Sequence, residues 1–387
     1  MRSASFRSIR TNPLAFGWIA LLVATRSVAA APAVKEVDCD AGRSVMDVLA
    51  KAEPGETIKI IGTCIERLVI ATDRITLDGQ GSAILDGGGS AGGDFAGVIA
   101  IQGAHGVVIR GLTVQHGPNG IVATGGAAFQ ASDSVFQNHA GSGILIIGGS
   151  SGELTNCAMQ KNGVGMNVLT GSSIVLKGAI GADGNAGNGI SVGGGSTLEI
   201  RGAAVHASHN MGNGVSISGG QGAIWAYSES QKSSLTASNN GFAGIGIAEA
   251  DFQSGGGSGP NLITASNNGA FGLFLPIGGV VDSPFGSMQF EMSGNPVGLY
   301  LGMGSRVLIH GGLVIENNKT GVLADGGDTL NVNASPAPIP PAPSVIAANE
   351  VDVDLRFGSR ATFGAAVTVK TIKCDKTVLS RGSIACP

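Results

Sequence analysis

Aromatic and charged side chains are scarce: aromatics form 4% of the 387 residues, and Asp, Glu, Lys and Arg together 13%. With 43% hydrophobic residues and so little charge, the chain is not of the solvated, disordered class. The shortage of aromatics at any period near forty residues excludes WD-type propeller blades. No apolar run of about twenty residues follows the first thirty, so no membrane-spanning helix is expected in the body of the chain. The five cysteines include no CxxC pair and no His/Cys cluster at zinc spacing, which argues against a metal or other cofactor. Glycine is abundant at 65 residues, yet with 14 prolines the two make about a fifth of the chain, below low-complexity levels.

The first thirty residues read as a signal peptide. Arg2, Arg7 and Arg10 give a basic start, Leu14 to Thr25 an apolar centre, and Val28 and Ala30 a small-residue cleavage pattern. An exported protein, periplasmic or secreted and not membrane-spanning after cleavage, is expected; an uncleaved N-terminal anchor is the alternative. The mature chain would carry 19 basic against 27 acidic residues, which opposes a nucleic-acid partner. In an oxidising compartment Cys39–Cys64 and Cys374–Cys386 would staple the two ends. Cys157, within the strand-like "ELTNCAM", would remain as a buried small hydrophobe.

Self-similarity dominates the rest. A glycine opens each aliphatic run at Gly120, Gly143, Gly165, Gly189, Gly214, Gly244, Gly272, Gly298 and Gly321, with steps of 22 to 30 residues. Asparagine precedes most of them by three to five places: Asn138, Asn162, Asn185, Asn210, Asn240, Asn268, Asn295 and Asn318. Between them lie runs such as "GVVIRGLTV" and "STLEIRGAAV", with no room for a ten-residue helix. The leucine-rich-repeat consensus is absent, so the period reads as a parallel β-solenoid of about twelve coils between Ile58 and Lys370. Gly and Asn would turn the corners, where left-handed backbone is tolerated, and stacked Asn side chains would hydrogen-bond along the axis.

The expected layout is a signal peptide over 1–30, an N-terminal cap over 31–57, the solenoid over 58–330, a Pro-rich loop over 331–344, and a last coil with a disulfide-closed cap over 345–387. Within the first cap, Val45, Val48 and Leu49 fall on one face of a short helix that would cover the open edge of the first coil. The stretch "PGETIKIIGTCIERLVIATDRITLDGQGSAILDG", followed by Asn/Gly-spaced coils, resembles the right-handed parallel β-helix proteins of the pectate-lyase-like superfamily. The resemblance covers roughly Val37 to Pro387 and implies an all-β, single-stranded right-handed parallel β-helix.

That superfamily includes lyases, hydrolases and epimerases of acidic polysaccharides, tailspikes, adhesins and non-catalytic surface proteins. Its NTD, DD, GHG and DPHD motifs are missing here, as is any GxSxG elbow, so no catalytic residue carries over. Two polar columns remain. Taking Gly111, Asp133, Asn156, Gly178 and Gly202 as equivalent stacks Arg110, Ser132, Thr155, Lys177 and Arg201, with His310 in a later coil. Five places further come His116, Asn138, Lys161 and Asp183, where a His, Lys and Asp on one face could move protons or hold an anionic sugar. "GAIWAYSES" adds Trp225 and Tyr227, on one face if the segment is a strand, as a platform for sugar rings. Each set has a bland counterpart in solvated corners and wall packing. Asp78 and Asp86 read as turn caps. His206 and His209 read as corner polar residues; no metal is expected, and calcium at Asp352 and Asp354, in one of the two acidic clusters "EVDCD" and "NEVDVD", is only the alternative.

Three functions are carried forward. The first is polysaccharide binding along the flank through Arg110, Lys177, Arg201, Trp225 and Tyr227. The second is an atypical lyase, hydrolase or epimerase centred on His116, Lys161 and Asp183. The third is a structural or adhesive envelope protein.

Overall fold

The computed structural model describes residues 33–89, 92–93, 95–225, 232–255, 261–284, 287–333, 344–364 and 367–378. The expected signal peptide, Tyr227, the core of the Pro-rich loop and Cys386 lie outside the described residues.

Among the described residues there are 35 short strands and one helix, Val45–Leu49. The strands form one sheet of 22 and one of 13, with parallel pairing between successive coils. This is the parallel β-helix that the repeat implied. A coil is built from a long strand that bends and a short one that follows. His105–Gln115 bends at Gly111, whose φ is 62°, and so supplies two faces, while Ile121–Thr124 supplies the third.

Alternation puts every second side chain inside. On the third face Ile99, Ile121, Ile144, Met166, Ile190, Val215, Ile245, Leu273 and Leu299 stack in register, all at most 1% exposed. Each such burial is worth about 1.5–3 kcal/mol. Volumes compensate between coils: Phe129 lies over Gly152 and Phe252 over Gly222, and a Cβ on either glycine would meet the ring at 2.9 or 2.6 Å.

The opening glycines correct the sequence reading. They do not carry the left-handed backbone of the corners. A Cβ at Gly120, Gly143, Gly165 or Gly189 would lie 2.3 to 2.7 Å from the carbonyl oxygen of the next glycine in the series. Glycine is needed there because successive coils approach too closely for a side chain. At the corner before them the left-handed position belongs instead to His116, Asn138, Lys161, Gly184, His209 and Asn239, with φ between 53° and 66°.

One residue beyond that corner runs the asparagine ladder. Asn185 Nδ2 donates to Asn210 Oδ1 at 2.9 Å, Asn210 to Asn240, Asn240 to Asn268 and Asn268 to Asn295, each of these at 3.1 Å. Each Oδ1 also accepts a backbone N–H of the preceding coil, as Asn240 Oδ1 does from Asn210 N at 3.0 Å. Buried amide groups are thereby satisfied coil after coil. Asn138 is not a rung: it takes the outward left-handed place, and His139 occupies the ladder beside it. His139 Nε2 donates to Val114 O at 3.1 Å, and Nδ1 accepts from Gly117 N at 3.2 Å, which defines a neutral ring. Burial pushes its pKa down to about 4.

At the N-terminal end, Val45 and Leu49 of the helix are buried against the first coils. The helix is shorter than the run Arg43 to Ala52: Ser44 caps its start, accepting from Asp47 N at 3.2 Å, and Ala50 caps its end. Glu66 anchors it, accepting from Val45 N at 2.7 Å, Met46 N at 3.1 Å and Ser44 Oγ at 2.8 Å. The Cys39–Cys64 disulfide is formed and Cys374 is disulfide-bonded. Cys157 is a free, buried thiol whose pKa burial pushes up to about 11.

Candidate functional site

The first expected column is in register as far as Lys177, and the register shifts before Arg201. Along one outer face Asp78, Arg110, Ser132, Thr155 and Lys177 are neighbours in register, and Arg201 pairs directly with Trp225. The structure thus brings two sequence candidates, Arg201 of the basic stripe and the tryptophan, side by side. Ion pairs decide its charge. Arg110 Nη2 lies 2.7 Å from Asp78 Oδ2, Lys177 Nζ lies 2.8 Å from Glu153 Oε2, and Arg201 pairs with Glu199. Burial alone would raise the Asp78 carboxyl; the Arg110 guanidinium and the Gln80 N–H outweigh it and hold it below the usual range. The stripe therefore offers alternating donors and acceptors, not a bare cationic track. Counter-ions 2 to 32 residues away were missed because Glu153 and Glu199 sit two places earlier on the same face, in a column not aligned from sequence.

Beside this column lies a small groove. Ala223 stands between Glu199 and Gln253 in its own column, so the short side chain leaves a gap. The gap is about 220 Å³, lined by Glu199, Gln221, Ala223, Trp225, Asp251 and Gln253. This is smaller than the roughly 300–1,000 Å³ of a drug-sized cleft. Trp225 is 37% exposed and forms one wall, while Tyr227 lies outside the described residues.

The second expected column is corrected. His116, Asn138 and Lys161 share the left-handed corner, but the fourth place is Gly184, since Ala158 pairs with Gly181. A bulge causes the slip: Thr155 faces Lys177 but Cys157 faces Ile180, an extra residue after Gly178. Asp183 consequently continues the row before the corner, Asp86, Gln115, Gln137 and Gln160. Gln115 Nε2 donates to Asp86 at 3.0 Å, Gln137 to Gln115 at 3.2 Å and Gln160 to Gln137 at 3.1 Å. Asp183 accepts from Ser208 N at 2.7 Å, and burial raises its pKa. His116 and Lys161 are two coils apart, about 10 Å along the axis.

What His116 does meet is Asp86, with Nδ1 and Oδ2 at 2.8 Å. Asp86 also caps its turn, accepting from Gly88 N at 2.9 Å, and Asp78 does the same for Gln80 at 3.0 Å. The Asp86–His116 pair is half-exposed at the histidine and has the form of an oriented general base. Asp352 is fully engaged by Lys370 N, Thr371 N and Asn349, and Asp354 by Arg356 at 2.7 Å, so neither is free to hold calcium. His206 ends its strand exposed and His209 turns the corner. Among the described residues, the one cluster compact enough for a metal is Cys39, Cys64 and Glu66, already spent on the disulfide and the helix. No helix of the described residues is long and apolar enough to cross a membrane.

Residues 94–242 match the family described as right handed beta helix region. No curated protein matches the chain. Among solved structures, the chain is similar to the mannuronan C-5 epimerase AlgE6 A-module of Azotobacter vinelandii, at 16% identity and a TM-score of 0.46, covering 85% of this chain and 93% of that one. It is similar to an alginate lyase from Paenibacillus sp. str. FPU-7, at 16% identity and 0.37, covering 61% and 94%. It is also similar to the pectate lyase Pel9A, at 10% identity and 0.31, covering 91% and 82%. None of these likenesses speaks to the chemistry of this chain.

Proposed function

We propose that this chain, a right-handed parallel β-helix of the kind on which the pectate-lyase-like superfamily is built, binds a polysaccharide along the face that carries Arg110, Lys177, Arg201 and Trp225. The observation that carries the reading is the partly exposed Trp225, paired in register with Arg201, itself ion-paired with Glu199, beside a groove of sugar-ring size. An aromatic face takes the apolar side of a pyranose, and alternating carboxylates and cations take its hydroxyls. Because each cation already has a counter-ion, charge does not select an acidic glycan over a neutral one. Export to an oxidising compartment, with the domain limits given above, fits the Cys39–Cys64 disulfide.

Isothermal titration against a panel of plant, algal and bacterial oligosaccharides tests it, with Trp225→Ala and Arg201→Ala as variants. Each should weaken binding about tenfold. Absence of any ligand, or affinity unchanged in both, removes the proposal.

A second reading, an atypical polysaccharide lyase, hydrolase or epimerase, rests on the Asp86–His116 pair. Turnover of uronans that His116→Gln abolishes would establish it, and turnover that survives would clear the pair.

A further inference from the structure

Four aromatic rings gather on the third face, away from the Trp225 column. Phe242 precedes the strand Ala243–Ala248, Phe271 and Phe274 lie on Phe271–Leu275, and Tyr300 lies on Val297–Gly302. Phe274 and Tyr300 are direct neighbours between coils. Phe271 and Phe274 stack with centroids 4.4 Å apart, Phe242 stands edge-on to both at 5.5 and 5.2 Å, and Tyr300 leans on both at 5.3 Å. In a chain with 4% aromatics this is concentrated apolar surface on an outer face. Nothing inside the described coils covers it: Phe242 is 40% exposed and the other three are partly exposed.

Size and charge select the occupant. The uncovered parts of the four rings amount to on the order of 250 Å², well short of the roughly 800 Å² that each partner brings to a stable protein interface. A second copy of the chain or a protein partner is therefore underserved, whereas one or two sugar rings would be matched. Beyond Tyr300 the column continues as Leu323 and then Asp354, whose carboxylate holds Arg356 at 2.7 Å, so the column sets no free cation beside the rings. Toward the N-terminal coils the same column continues as Gly246, Ser216, Ser191 and Asn167, short polar groups that leave the platform open on that side.

We infer that Phe242, Phe271, Phe274 and Tyr300 form a second carbohydrate platform, for a neutral pyranose glycan, since their column offers no free cation to hold a uronate. It stands on a different face from the Trp225 site and is independent of that reading.

The test is titration of the full chain with cellohexaose, chitohexaose and a polygalacturonate hexamer at millimolar concentration, alongside sedimentation. With the first site disabled by Trp225→Ala, a neutral hexasaccharide should still bind, and in that background Phe274→Ala and the volume-conserving Tyr300→Leu should each weaken it about tenfold. Native far-UV circular dichroism of both variants separates lost binding from lost fold. The inference is overturned if neither neutral sugar binds, if the acidic hexamer binds better through these rings, if well-folded Phe274→Ala and Tyr300→Leu both keep wild-type affinity, or if the wild type is a dimer that Phe274→Ala dissolves.

Discussion

Replacing Gly143 by alanine adds one methyl where the structure has no space for it. Its carbon would stand 2.7 Å from Gly165 O, 2.8 Å from Asn162 Nδ2 and 3.3 Å from Met159 Cβ. A carbon–oxygen contact settles at about 3.3 Å or more, so the two coils must part by about half an ångström. Such overpacking costs about 1–3 kcal/mol. The methyl also presses on Asn162, whose Nδ2 donates to Phe136 O at 3.1 Å; loss of that bond in the buried ladder adds about 1–3 kcal/mol. Together, Gly143→Ala should cost about 2–6 kcal/mol. Gly126→Ala is the comparison: φ is 76° and nothing lies within 4 Å, so only left-handed strain of about 1–2 kcal/mol is incurred. Urea unfolding followed by far-UV circular dichroism gives the two costs. Hydrogen exchange should show the loss of protection at Gly143→Ala confined to the coils around Ser142–Ile146, since solenoid coils are stabilised by their neighbours. If Gly143→Ala proves no more costly than Gly126→Ala, close approach between coils is not why glycine recurs.

Two further outcomes follow from buried groups. His139 titrates near 4 when folded against about 6.5 unfolded, so the unfolded chain binds the proton first as pH falls. Stability should be full above pH 6.5 and drop by about 3 kcal/mol between pH 6.5 and 4; urea midpoints at pH 7.5 and 4.5 measure this, and His139→Asn, which restores an ordinary ladder rung, should flatten the slope. The Cys39–Cys64 bridge closes a separation of 25 residues, so the double serine variant should lose about 3 kcal/mol, with the loss of exchange protection centred on the helix Val45–Leu49 and the first strands.

The coil architecture was legible because each coil repeats the same local demand. Aliphatic alternation marks the inner columns, and an asparagine before each glycine marks the ladder, so Asn185, Asn210 and Asn240 could be named as stacked from the residues alone. The reason for the glycines could not. Extended backbone at Gly143 differs from left-handed backbone only once the neighbouring carbonyl is in place. The same holds for the rung at 139, where the corner takes Asn138 and the histidine next to it goes inside. The aromatic platform did leave a signal, a phenylalanine or tyrosine near the opening glycine in three consecutive coils, "NGFAG", "FGLF" and "GLYL". It goes unnoticed when the search is for charge.

What the sequence determined by itself is the period, the parallel stacking and the inner columns, because these follow from a side-chain alternation that every coil restates. What only the tertiary structure decided is which outer residues meet. One residue added at a corner, as after Gly178, moves by one place the residues that follow it up to the next corner, and so takes Asp183 out of the row of His116 and Lys161. The charge of the outer face is settled the same way, by contacts between coils about 4.8 Å apart whose residues lie some 24 to 32 positions apart in sequence: Asp78 with Arg110, Glu153 with Lys177 and Asp86 with His116.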